Sequence, residues 1–238
     1  MAEWFEDWFG EDYLKLYPHR NDADAERMVS LIVRILPWQT GWRVLDVGCG
    51  AGRHARPLHN AGARVTGLDL SMSLLRRAQH TARVPLVRAD MRSLPIRPAS
   101  MDLTVNLFTS FGYFSTDREH DGVIAGMVET LRPNGWFAMD FLNARSVRDH
   151  LVAENTMEVG GQKVRVTRRL SDGDTYVLKT IEPAGGQKFI ERVRLFEPEQ
   201  LVRMLESHGA AVLHRFGDYD AGPLTDSSAR CILFARRS

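Results

Sequence analysis

Val44-Leu45-Asp46-Val47-Gly48-Cys49-Gly50-Ala51-Gly52 is the stretch of this 238-residue chain from which the rest of the fold can be read. Its β-branched and aliphatic opening predicts a strand, and the glycines that follow predict a turn whose backbone lies against something that leaves no room for side chains. A helix pattern begins at once, from Gly52 to Ala61. Unpaired amides at a helix start, beside residues without Cβ atoms, make a seat for a polar ligand. A plain strand-to-helix turn explains one glycine but not Gly48, Gly50 and Gly52 together.

Working outward, strand and helix patterns alternate. Arg64 to Asp69, Pro85 to Ala89, Asp102 to Leu107 and Gly135 to Phe141 read as strands, with helices predicted over Ser71 to Thr81 and Asp117 to Leu131. Strands separated by helices need crossover connections, so this is a doubly wound α/β pattern with a mostly parallel sheet. Upstream, Met28, Leu31, Ile32 and Ile35 recur at helical spacing within Asp22 to Leu36, and Pro37 stops that helix. After Asn143 the period changes to two. Val164 to Leu170, Tyr176 to Ile181 and Phe189 to Phe196 are joined by turn-rich Ser171-Asp-Gly-Asp174 and Pro183-Ala-Gly-Gly186, which predicts antiparallel hairpins. A helix over Glu197 to His208 and strands over Ala211 to Phe216 and Arg230 to Ala235 close the chain, the last pair antiparallel. The expectation is one domain over residues 1–238, with 155–196 as an inserted antiparallel β region.

Composition narrows the function. Hydrophobic residues at 44% and charged residues at 26% are ordinary globular values, so the chain is expected to fold without disulfides or metal. Lys+Arg 31 against Asp+Glu 30 leaves +1, which supplies no global field to gather nucleic acid or an anionic membrane. Cys49 and Cys231 have no metal-ligand spacing and predict free thiols in a reducing compartment, with no metal site. The acidic, aromatic opening MAEWFEDWFGEDYL is unlike a signal peptide, and no apolar run approaches the roughly 18 residues of a membrane span, so a cytoplasmic protein is expected.

Two nucleotide-binding readings of the glycine loop compete. The dinucleotide fingerprint needs a glycine where Arg53 stands, and the spacing here is G-x-G-x-G with Asp46 inside the preceding strand. Asp46 either hydrogen-bonds the loop amides, the preferred reading, or meets the ligand. In this form the loop resembles the first motif of the class I S-adenosylmethionine-dependent methyltransferases. The resemblance covers roughly residues 40 to 145, and it implies a Rossmann-like α/β fold with an antiparallel last strand and S-adenosyl-L-methionine as cofactor. It places Gly48, Cys49, Gly50 and Gly52 against the cofactor. Asp69, in Thr66-Gly-Leu-Asp-Leu-Ser71, falls where the family has an acid on both ribose hydroxyls, with Leu70 beside it; a carboxylate can accept two such bonds. The alternative for Asp69 is a helix N-cap. Asp90 and Met91 match the adenine position, unless Asp90 is simply a surface-loop acid, and Leu107 ends the strand that faces the cofactor.

The acceptor side is less defined. Asn106-Leu-Phe-Thr109 stands where methyltransferases of exocyclic base amines or glutamine usually carry N-P-P-Y, and neither cysteine is placed as a nucleophile, so a small molecule is expected rather than nucleic acid. Phe108, Phe111, Tyr113 and Phe114 gather around Gly112 at the carboxyl end of that strand, where ligands of open α/β sheets bind; Tyr113 adds a hydroxyl. By the resemblance, residues 1–40 form a helical lid whose Tyr17 and Arg20 reach the cofactor carboxylate; the alternative is that the aromatics only staple the segment down. Candidate bases are Tyr113, His54 and His150, with His19 near the pocket. Arg165, Arg168, Arg169, Lys179, Arg192 and Arg194 form either an anion site or the solvated face of a half-buried sheet. The reading is methyl transfer to O, N or C of a small molecule. Its competitors are a non-catalytic cofactor-binding subunit, an RNA or protein methyltransferase, and an NAD-dependent oxidoreductase, the last weakened by Arg53.

Overall fold

Every residue of Arg43–Val47 after the first is buried, as expected of a strand covered on both faces. In the computed structural model, which describes residues 3–16 and 22–238, this strand is the centre of the fold. The elements are α1 (Trp4–Trp8), α2 (Glu11–Leu16), α3 (Asp22–Ile35), β1 (Arg43–Val47), α4 (Ala55–Asn60), β2 (Arg64–Asp69), α5 (Met72–Thr81), β3 (Leu86–Arg88), β4 (Met101–Asn106), α6 (Asp117–Thr130) and β5 (Leu131–Leu142). Then come α7 (Ala144–Asp149), β6 (Glu154–Val159), β7 (Gln162–Leu170), β8 (Tyr176–Pro183), β9 (Phe189–Arg194), α8 (Pro198–Ser207), β10 (Ala210–Phe216) and β11 (Arg230–Arg237).

The main sheet has the order β10-β11-β5-β4-β1-β2-β3. Pairings among β1 to β5 are parallel, and β11 runs antiparallel to both β5 and β10. The order reverses direction between β1 and β4, which opens a crevice at their carboxyl ends. One face packs with α6 and α8, through residues such as Ile124, Met127, Leu201 and Leu205. The other packs with α3 and α4, where Met28, Leu31, Ile32 and Leu58 meet Val44, Val65 and Phe234. Helix α3 is therefore part of the domain's layer rather than a separate cover.

Local chemistry sets the helix ends. Ser71 caps α5 by accepting from Leu74 N at 3.2 Å, and Thr116 with Glu119 forms a capping box on α6. Such caps contribute about 1 kcal/mol each. Helix α4 starts at Ala55, later than the pattern suggested, because Gly48, Gly50 and Gly52 sit at φ +75°, +54° and +79° and cannot continue a right-handed helix.

The insertion is a four-stranded antiparallel sheet in the order β6-β7-β8-β9. Strand β6 falls within the expected 155–196 region but ahead of the strands read there, which begin at Val164, since Glu154, Asn155 and Glu158 dilute its β-character. The available signal was Gly160-Gly161: both take positive φ, 56° and 77°, as a two-residue hairpin turn requires. This sheet lies over the carboxyl end of the main sheet, with Arg194 N donating to Gly112 O at 2.7 Å. Its inner face buries Val164, Val166 and Ile181 against Trp8, Tyr13 and Leu16 of α1 and α2.

Candidate active site

The glycine loop is built tight. A Cβ on Gly48 would stand 2.7 Å from Ser110 Cβ, and one on Gly52 would stand 2.7 Å from Ala82 Cβ. Gly48 N and Cys49 N both donate to Leu68 O, at 2.8 and 3.0 Å. The Asp69 carboxylate, at the end of β2, accepts from Gly50 N through one oxygen and from Ser71 N through the other, each at 2.8 Å. It thus locks the loop while each oxygen keeps a lone pair for a further donor. Burial raises its pKa, and the amide bonds oppose that rise.

Asp46 departs from its expected place. It is 1% exposed, its Oδ2 has no hydrogen-bond partner among the described residues, and it does not line the neighbouring cavity. The loop amide expected of it is held by Asp69, which stands on the adjacent strand at the height of the turn. Burial first, and then the charge of Asp69, push the Asp46 carboxyl up to about 7.

Two cavities meet at the carboxyl end of β4. The first, of about 670 Å³, is walled by Gly48, Cys49, Gly50, Gly52, His54, Asp69, Leu70, Asp90, Met91 and Leu107. The second, of about 560 Å³, runs under the inserted sheet and includes Thr109, His150, Arg168, Lys179 and Glu191. Both volumes fall in the range of small-molecule sites. Phe9, Phe108 and Tyr113 line both. Tyr17, His19 and Arg20 lie outside the described residues.

Asp90 is engaged by Arg92: its Oδ1 accepts from Arg92 N at 2.8 Å, and its Oδ2 accepts from Nε and Nη2 at 2.9 and 2.6 Å. Burial alone would raise its pKa, but these bonds and the guanidinium charge bring it below the ordinary range. Tyr113 donates to Thr109 O at 2.5 Å, and its ring packs against Trp4, Phe5 and Phe9. His54 is buried with no partner on Nε2 among the described residues, and burial, followed by the charges of Arg53 and Arg230, lowers its pKa to about 3. His150 is exposed on the wall of the second cavity, with Nδ1 3.2 Å from Ser146 O. Burial pushes both thiols up, Cys231 to about 12, so neither is an activated nucleophile.

Sequence reasoning missed the network that shapes the junction. Phe108 and Thr109 both take positive φ, 56° and 64°, an uncommon conformation and a strained one for β-branched Thr109. Thr109 N donates to Asp140 O at 2.9 Å and Phe108 N to Asp140 Oδ2 at 3.2 Å. The fully buried Asp140 also accepts from Arg230 Nε at 2.7 Å and Tyr219 OH at 2.9 Å, while Arg230 Nη2 reaches Thr109 Oγ1 at 3.0 Å. The Phe108 ring is held beneath the Arg53 and Arg230 guanidinium groups, 4.1 and 5.4 Å from its centroid. An acid inside the apolar run Trp136 to Leu142 was the readable signal. His120 was also missed. It sits among Phe111, Phe114 and Phe196, with Nε2 accepting from Phe114 N at 3.2 Å and Nδ1 2.8 Å from Thr116 O.

A parallel sheet with a reversed last strand, a G-x-G-x-G loop after β1 and an acid closing β2 define a nucleoside-cofactor-binding α/β protein. The methyltransferase domain family matches residues 44–135. A malonyl-[acyl-carrier protein] O-methyltransferase of Pseudescherichia vulneris is 30% identical over 184 residues, 76% of this chain and 69% of that protein. A dTDP-3-amino-3,6-dideoxy-alpha-D-glucopyranose N,N-dimethyltransferase of Streptomyces fradiae is 29% identical over 219 residues, 85% of this chain and 79% of that one. In fold, the CcbJ methyltransferase of Streptomyces caelestis superposes with a TM-score of 0.81 at 19% identity, over 97% of this chain and 98% of the other. The chain belongs to the methyltransferase domain family and is an S-adenosylmethionine-dependent methyltransferase. Among the described residues, no helix is long and apolar enough to cross a membrane and no His, Cys, Asp or Glu cluster is arranged to hold a metal.

Proposed function

We propose that this enzyme methylates a small molecule held in the second cavity, with S-adenosylmethionine in the first. The observation that carries the reading is that the two cavities meet, sharing Phe9, Phe108 and Tyr113 as common wall. The dimethyltransferase named above, acting by its name on a nucleotide amino sugar, supports the same class of acceptor.

The first cavity fits the cofactor. The Cβ-free turn lets backbone approach a ligand closely, Asp69 keeps lone pairs for a vicinal diol, and Met91 offers an apolar surface beside Asp90 for a base. In this reading Gly48, Cys49, Gly50, Gly52, Leu70 and Leu107 form the walls and Asp69 takes the ribose. Bound there, S-adenosylmethionine supplies an electrophilic methyl whose leaving thioether needs no protonation. What the protein must do is align the nucleophile and exclude water. Phe108, fixed by Asp140 and Arg230, and Tyr113, under the aromatic α1, do the aligning. An acceptor hydroxyl or ammonium must also lose a proton. His54 is a weak base, because burial and two guanidinium groups keep its imidazole neutral, with one ring nitrogen donating and the other accepting. His150, on the acceptor wall, is the better-placed base. Tyr113, whose proton is already given to Thr109 O, is a positioning residue. Tyr17 and Arg20 remain proposed for the cofactor carboxylate.

The test has two arms. S-adenosylhomocysteine is expected to stabilise the protein by roughly 2.7 kcal/mol at a hundredfold excess over its dissociation constant, with no response to NAD; stabilisation by NAD alone would remove the cofactor assignment of this pocket. Label transfer from methyl-labelled S-adenosylmethionine, screened over nucleotide amino sugars, carboxylic acids and phenols, is expected to find a small acceptor. Transfer only to RNA or protein would overturn the small-molecule reading.

A further inference from the structure

The inner face of the inserted sheet carries an ionic row where its period calls for apolar residues. Strand pairing sets Arg168 opposite Lys179 and Lys179 opposite Glu191. On β7, Arg168 alternates with Val164 and Val166, which are 1% and 0% exposed, so it projects to the covered side of the sheet. All three row members line the second cavity. Their partners differ. Glu191 accepts from Lys179 Nζ at 3.2 Å and from the Trp8 indole at 2.8 Å, which compensates that pair.

Among the described residues Arg168 has only neutral partners. Its Nη1 donates to Asn155 Oδ1 at 2.6 Å and Val152 O at 3.4 Å, and among the described residues no carboxylate lies within ion-pair distance of its guanidinium. Elsewhere on the sheet Arg165 pairs with Glu154 at 2.7 Å and Arg194 with Asp117 at 3.0 Å, while Arg192 lies over the Tyr176 ring; Arg168 differs from these in lining the second cavity without a carboxylate among the described residues. Glu191 is also the one acidic side chain on the cavity wall among the described residues, and it is engaged by Lys179 and Trp8 rather than by Arg168. A half-buried, pre-oriented guanidinium without a counter-charge costs free energy unless a ligand supplies one.

We propose that the methyl acceptor carries an anionic group, a carboxylate or a phosphate, and that Arg168 receives it. This rests on the second cavity being the acceptor site, and it adds the charge and the anchoring residue. Asn155 orients the fork. The reacting atom lies at the other end of the cavity, where Phe108 and Tyr113 meet the cofactor pocket, so the anion sets the reach and orientation of the acceptor.

The test titrates the protein, saturated with S-adenosylhomocysteine, with inorganic pyrophosphate in one arm and malonate in the other, read by calorimetry. Saturable binding of either anion is expected, weakened about ten- to hundredfold in Arg168→Gln, less in Arg168→Lys, and unchanged in Arg165→Gln on the outer face. Pyrophosphate as the tighter ligand marks a phosphorylated acceptor, and malonate a carboxylic one. An undiminished S-adenosylhomocysteine response in each variant shows that the fold is intact. If neither anion saturates, or if Arg168→Gln binds them as well as the parent, the inference is wrong while the two-cavity reading stands. If the parent itself does not bind S-adenosylhomocysteine, the reading beneath it fails.

Discussion

Asp69 concentrates the chemistry of the cofactor pocket in one carboxylate. Its two oxygens close the Gly50 and Ser71 amides into a rigid turn, and the proposed ribose contact uses the lone pairs left over. Asp69→Asn keeps the shape but turns one acceptor into a donor and removes the charge. Affinity for S-adenosylhomocysteine is expected to fall by about 1.5 to 3 kcal/mol, the scale of hydrogen bonds to a charged group. Isothermal calorimetry on the folded variant decides it; undiminished affinity would remove Asp69 from the ribose role. Asp90 is a contrasting acid. Arg92 already holds both its oxygens, so any adenine contact must share them with a guanidinium that also reaches Glu3 at 2.7 Å and thereby ties α1 to the pocket rim.

Helices α1 and α2, of five and six residues, are far too short to persist alone. They are fixed by tertiary contacts: Trp8 on Glu191, Ser71 Oγ donating to Phe9 O, Glu3 on Arg92, and the Trp4 and Phe9 rings against Tyr113 at 5.3 and 5.5 Å. These contacts join the cofactor side to the inserted sheet, with α1 on the wall of both cavities and α2 on the wall of the first. Removing residues 1–16 is expected to abolish methyl transfer to any acceptor the intact enzyme uses. The far-ultraviolet circular dichroism of the sheet should survive, since α3 and the main sheet pack without these helices. Full activity in the truncated protein would reduce those aromatics to packing.

At the scale of the whole molecule, two buried groups give stability opposing pH slopes. Asp46 moves from 3.8 to about 7 on folding, so between those values the folded state holds a proton that the unfolded state has released, and stability falls as pH rises through the window. His54 moves from 6.5 to about 3, so the unfolded state holds the extra proton there and stability falls as pH drops through that window. The slopes largely cancel where the windows overlap. Asp46→Asn removes one of them. Relative to the parent, the variant is expected to gain on the order of a few kcal/mol between about pH 4.5 and about pH 8, measured by urea unfolding at both ends. A difference that does not change with pH would mean that Asp46 is not held protonated.

The strand, glycine loop and helix around Val44 to Gly52, the α/β alternation and the change of period after Asn143 were legible because each is written in residues a few positions apart. Asp69 at the end of one strand and Asp90 with Met91 after the next were also legible, their site roles coming from the family resemblance. Strand β6 escaped because its composition is polar, although Gly160-Gly161 marked its turn. Only the tertiary structure paired Asp140 with Arg230, 90 residues away, left Asp46 without its expected amides, built α3 into the core, and set Arg168 on a cavity wall with Asn155 and Val152 as its partners. Periodicity and turn preference are local properties of a chain. Whether a charge finds a partner depends on the register and packing of strands distant in sequence, which exist only once the chain has folded.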